Sequence, residues 1–124
     1  MPTWIDATGD VVAGDTIRFT EGVFGGSRWK PQFLGDRMIT GRILRESYGS
    51  DRWQHTFTIE VLESNGMEAI AAGATIRRKG RNVYRNGIER LLWEDESARD
   101  RVAAEKHHRG GAARTARHKR TMGN

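Results

Sequence analysis

The chain has 124 residues, 36% of them hydrophobic and 30% charged, with a mean hydropathy of −0.71 and a net charge of +5. That length holds one domain and a tail, and no apolar run approaches the roughly 20 residues of a membrane span. Cysteine is absent, which removes disulfides, thiol nucleophiles and thiolate metal sites and fits a reducing compartment.

The N-terminal segment lacks a signal peptide's basic start and apolar middle, so a cytoplasmic protein without membrane attachment is expected. Trp4, Ile5, Val11 and Val12 suit a short strand or a strap across a core. Gly14-Asp15 signals a turn. From Asp15 to Thr20 the residues alternate, with Ile17 and Phe19 on one face and Thr16 and Arg18 on the other, which predicts a half-buried strand. Residues 21–36 carry Gly22, Gly25, Gly26, Pro31 and Gly35, a density that reads as a long loop. Its three aromatics, Phe24, Trp29 and Phe33, mark it as functional or folded back, with at least one expected to pack on the body.

Arg37 to Glu46 alternates again, with Ile39, Gly41 and Ile43 inward, and Gly41 predicts a bend or a close backbone crossing. His55 to Glu63 is the strongest strand pattern, with Phe57, Ile59 and Val61 on one face and Thr56, Thr58 and Glu60 on the other. Asn65-Gly66 and Asn86-Gly87 are both hairpin-turn pairs. Between them, Ile76–Lys79 and Asn82–Arg85 read as short strands on either side of Gly80, and Ile88–Trp93 closes the set. Five or six short strands with glycine-marked turns predict a mainly β fold, a small antiparallel barrel over residues 1–93. Residues 94–109 start acidic and end basic, as a helix dipole favours, with only Ala98 and Val102 as an inward stripe. A weakly docked or solvated helix is expected there, followed by a basic, disordered tail over 110–124.

The charge is sorted along the chain. After Glu105, the last acid, come Lys106, Arg109, Arg114, Arg117, Lys119 and Arg120, leaving 15 basic against 16 acidic residues before them. Within the body, Arg77, Arg78, Lys79, Arg81 and Arg85 fall in nine residues without an acid. One-signed clusters of this kind suit polyanions.

Catalytic and cofactor motifs are missing: there is no phosphate loop, no His-Glu-x-x-His pair and no nucleophile elbow. His55 sits on the apolar parity of its strand and reads as a structural histidine. His107 and His108 are helix neighbours about 100° apart, a poor metal pair. Neither catalysis, a cofactor nor a metal is therefore expected. A binding inventory remains. Arginine forks match phosphate oxygens, and Tyr84, Trp29 or Trp53 offers a stacking ring.

The stretch Val12-Ala13-Gly14-Asp15-Thr16-Ile17-Arg18-Phe19, followed by Gly41-Arg42-Ile43, resembles the SH3-like small β-barrels of KOW-type nucleic-acid and ribosome-associated modules. The stretches HTFTIEV and IRRKGRNVYR also resemble those of small proteins encoded by phages and prophages. The first resemblance implies a binding barrel whose long first loop forms part of the binding face. Two readings follow. One is a non-enzymatic nucleic-acid-binding protein of low sequence specificity, for DNA or RNA. It would use Arg28, Trp29, Lys30, Arg77, Arg78, Lys79, Arg81, Tyr84 and Arg85 on the barrel, with Lys106, Arg109, Arg114, Arg117, Lys119 and Arg120 as a basic arm. The other is a phage-type accessory module that binds a host protein or nucleoprotein machine, anchored by Phe24, Trp29 and Phe33.

Overall fold

The computed structural model describes residues 3–48 and 53–108. Six strands, β1 (Trp4–Asp6), β2 (Thr16–Gly26), β3 (Pro31–Ser47), β4 (Thr56–Gly66), β5 (Thr75–Lys79) and β6 (Ile88–Leu91), form one antiparallel sheet in the order β1-β6-β2-β3-β4-β5. A single helical turn, α1 (Gly80–Val83), links β5 to β6, and a second helix, α2, runs over residues 96–108. The fold is mainly β, as the alternating segments predict. The sheet is open but strongly curled. Arg78 on β5 meets Glu21 on β2 at 2.7 Å although two strands lie between them. In a flat sheet those backbones would stand about 14 Å apart, with their side chains parallel.

The pleat sets the core. Ile17 and Phe19, Ile39 and Ile43, and Phe57, Ile59 and Val61 point inward from β2, β3 and β4, joined by Ile88 of β6. Ala7 and Val11, in the strap after β1, and Val83 with Tyr84 complete the cluster. Each fully buried side chain of this size contributes roughly 1.5–3 kcal/mol. Gly41 lies at a close approach of β3 and β4. A Cβ there would sit 2.5 Å from Ile59 Cγ2 and 2.8 Å from the Glu60 carbonyl oxygen, and the register shifts beside it. His55 is a buried structural residue, its Nδ1 2.7 Å from Glu46 Oε2 and its ring edge-on to Tyr48.

Several local expectations are corrected. Residues 21–36 are not a loop, because β2 and β3 stay paired as far as Gly26 and Pro31 and form a long hairpin arm. The arm carries a bulge at Val23/Phe24, the Phe24 and Phe33 rings lie over Gly22, and Leu34 lies over Gly25. Asn65-Gly66 does not make the reversal. Both residues still pair with β3, and the chain turns later, over 67–74. Residues 82–85 are not a strand, since the Tyr84 N–H bonds the Gly80 carbonyl and closes a helical turn.

The C-terminal helix is firmly docked, and its anchors are polar. Arg99 donates from Nε and Nη2 to the two oxygens of fully buried Asp15, both at 2.9 Å, and from Nη2 to the Asp10 carbonyl at 2.6 Å. Asp15 also accepts the Val12 N–H and the Trp93 indole N–H. Burial works to lower the Arg99 pKa, but the hydrogen bonds and charge of Asp15 raise it overall. Asp95 caps α2 through the Ser97 N–H and hydroxyl. Glu96 takes both ends of the Arg90 fork and the Trp93 N–H, which hold its carboxyl down at about 2.

Candidate nucleic-acid interface

The basic run at residues 77–85 is divided by the same pleat that builds the core. Arg78 pairs in register with Phe57 and therefore points to the concave side, where it grips Glu21. Arg37 grips the same carboxylate from β3. Burial tends to raise the Glu21 pKa, and the hydrogen bonds from Arg78 and Arg37 outweigh it, so the group stays below the ordinary range. Arg77 and Lys79 point the other way and are exposed. Arg77 and Arg45 flank Thr58 in register, which sets Arg45, Arg77 and Lys79 on one outward face. Thr58, between Arg45 and Arg77 in register, is 5% exposed.

Sequence parity misses Arg45, because simple alternation from Ile43 would turn it inward. A register shift between Ile43 and Arg45 reverses it. None of the three outward cations forms an ion pair with a described residue. Arg42 of β3 is likewise exposed and without an ion pair to a described residue, but the remaining sheet arginines are held. Arg18 is held by Glu89, Arg37 and Arg78 by Glu21, and Arg90 by Glu96.

Arg28, Trp29 and Lys30 form the tip of the β2–β3 arm. Trp29 is 87% exposed, with the Arg28 guanidinium 5.6 Å from its ring centre. The tip is a defined turn, in which the Lys30 N–H bonds both the carbonyl and the hydroxyl of Ser27. Phe24 and Phe33 brace the shaft across the strands, their rings 5.6 Å apart. All three aromatics of the arm are exposed, so the expectation that one packs on the body is corrected. Between Glu21 and Asp36 the arm carries Arg28 and Lys30 and no acid. Tip and outward face are not neighbours. Thirteen residues of β3 lie between Pro31 and Arg45, up to about 45 Å of extended strand.

Other residues of the predicted site fall elsewhere. Tyr84 cannot stack on a base: it is 3% exposed, wedged edge-on between Trp53 and Phe57, with its hydroxyl on the Val11 N–H. Arg81 and Arg85 are exposed at α1 and just after it. Lys106 is no part of a free arm, because its ammonium bonds the Val11 carbonyl at 2.6 Å and Glu46 at 3.0 Å and so fastens α2 to the barrel. Arg109, Arg114, Arg117, Lys119 and Arg120 lie outside the described residues. Among the described residues no acidic and histidine side chains gather as a metal site, and no helix is long and apolar enough to cross a membrane.

A curled antiparallel sheet with Arg45, Arg77 and Lys79 together on its outer face and an exposed aromatic arm defines a small β domain. The chain belongs to the family described as Domain of unknown function (DUF7699), which matches residues 12–93, from the second strap valine to the Trp93 that bonds Asp15. It is similar to Zinc finger CCCH domain-containing protein 62 of Oryza sativa subsp. japonica, with 37% identity over 118 residues, 91% of this chain and 17% of that protein. The chain thus spans less than a fifth of that relative's length. With no cysteine, it has no counterpart to the three that a CCCH finger is named for. No solved structure matches.

Proposed function

We propose that this domain is a non-enzymatic, cytoplasmic nucleic-acid-binding module of low sequence specificity. The observation that carries the reading is the outward row of Arg45, Arg77 and Lys79, three cations gathered on one face with no ion pair to a described residue, whereas Arg18, Arg37, Arg78 and Arg90 are ion-paired. Fixed cations on a rigid strand face suit a phosphate backbone. They release its counterions and read no base edges. Trp29, flanked by Arg28 and Lys30, adds a ring for stacking on an unpaired base at the far end of β3. The basic residues beyond α2 would add affinity of the same unspecific kind. Kinship with a segment of a protein named for a CCCH finger is compatible with this role but supplies no ligand.

Fluorescence anisotropy with short labelled DNA and RNA at several salt concentrations tests the reading. Binding that tolerates sequence changes and weakens steeply with salt is expected. No binding at low salt would favour a protein-interaction module, for which the three exposed aromatics of the arm are the specific observation.

A further inference from the structure

The cleft between the base of the β2–β3 arm and α1 has a volume of about 330 Å³, with Glu21, Arg37 and Arg78 together at one side and Phe24, Asn82 and Arg85 among its other walls. Three guanidiniums face one carboxylate there, so the lining carries a net charge of +2. Glu21 is fully occupied. Its Oε1 accepts from Arg78, and its Oε2 accepts from Arg37 and from the second Arg78 nitrogen. With 11% of its side chain exposed, it orients the two arginines and offers little negative charge to the cleft.

The arginines keep donors to spare. Arg78 uses Nε and Nη2 on Glu21 and Nη1 on the Arg77 carbonyl. Arg37 uses Nε and Nη2 on Glu21 and Nη1 on the Glu68 carbonyl. A guanidinium has five N–H groups, so two on each remain without a described acceptor. Arg85 is exposed and forms no ion pair with a described residue. The Phe24 ring, 63% exposed, stands beside them.

We infer that this cleft binds the terminal phosphomonoester of a nucleotide, with Arg37, Arg78 and Arg85 on the phosphate and the Phe24 ring against the base. A phosphomonoester carries about −1.5 to −2 at neutral pH, which balances the lining, whereas an internal phosphodiester carries only one charge. Guanidiniums already held in place by Glu21 lose little freedom when they bind. Such a phosphate can belong to a free mononucleotide or to a strand end. This site is separate from the outward row and stands whether or not that row binds a backbone.

Calorimetric titration with adenosine 5′-monophosphate, adenosine and inorganic phosphate tests the site, alongside anisotropy on one decanucleotide with and without a 5′-phosphate. The monophosphate should bind at least about tenfold tighter than adenosine, the difference expected for charge-assisted hydrogen bonds. Arg85→Ala should abolish that preference while melting like wild type, and Phe24→Ala should weaken the monophosphate but not inorganic phosphate. A preference for the phosphorylated strand above that for the mononucleotide would identify a strand end as the source, and the reverse a free nucleotide. Equal affinity for adenosine and its monophosphate, or an unchanged preference in Arg85→Ala, would overturn the inference. Backbone binding through Arg45, Arg77 and Lys79 would be untouched by that result, since the unphosphorylated strand reports it separately.

Discussion

Arg99 and Asp15 lie 84 residues apart in sequence and form a two-pronged, buried ion pair, at 2.9 Å through each prong, that fixes the C-terminal helix to the start of β2. Removing one partner of such a pair leaves the other charge buried alone. Arg99→Ala is therefore expected to destabilise the fold by about 3–5 kcal/mol in urea denaturation. A chain cut after Trp93 should be destabilised at least as much, although it retains the whole span that matches the family. A cut chain as stable as wild type would show the helix to be an ornament.

Phe57→Ala and Ile59→Ala should each cost about 2–5 kcal/mol, because both side chains are fully buried on the concave face. Thr58→Ala should cost about 1 kcal/mol or less, since this side chain lies on the outward face of β4 and not in the core cluster. Equilibrium denaturation checks the order, and a Thr58 variant worse than either core variant would invert the register.

Gly41→Ala should be destabilising by about 1–3 kcal/mol despite its small size. The added carbon would overlap both Ile59 Cγ2 and the Glu60 carbonyl oxygen, and the latter is strand backbone rather than the end of a flexible side chain. A melting temperature equal to wild type would contradict the close crossing of β3 and β4.

Acid should loosen two ties. The pKa of Glu96 is lowered to about 2, and that of Glu21 is also lowered from its ordinary value of 4.5. A depressed carboxyl stabilises the fold above its unfolded pKa, and that contribution is lost as pH falls through the folded value. Stability should thus decline from about pH 4.5 downward as both carboxylates take up protons. Glu96→Gln, which keeps a hydrogen-bond acceptor but no charge, should show a shallower decline in denaturation curves between about pH 5 and pH 2.5. A decline as steep as wild type would place the acid-sensitive tie elsewhere.

The strands that carry the core were legible because burial on one face writes a period of two, plain in Ile17-Arg18-Phe19 and in Phe57-Thr58-Ile59. His55 was legible for the same reason. The arm at 21–36 was not, since beyond Val23 it is a two-stranded ribbon, exposed at Phe24, Trp29 and Phe33, with no continuous buried face to imprint a pattern. Arg99, Asp15 and Lys106 act through hydrogen bonds between distant segments, which no local periodicity records. The run from Arg77 to Arg85 correctly marked a basic surface. It could not show that Arg78 turns inward and Tyr84 enters the core, or that a bulge brings Arg45 into the outward row.

The most direct test of the nucleic-acid reading compares paired with unpaired cations. Anisotropy on one DNA duplex, from low to physiological salt, would be measured for wild type, for the triple variant Arg45→Ala, Arg77→Ala and Lys79→Ala, and for Arg18→Ala, whose guanidinium is held by Glu89. The triple variant should bind more weakly, and its log–log salt slope should fall by about 0.9 for each phosphate that is no longer neutralised, with one phosphate at most per removed cation. Arg18→Ala should keep the wild-type slope. A triple variant that binds with the slope and affinity of wild type would contradict the assignment of this face.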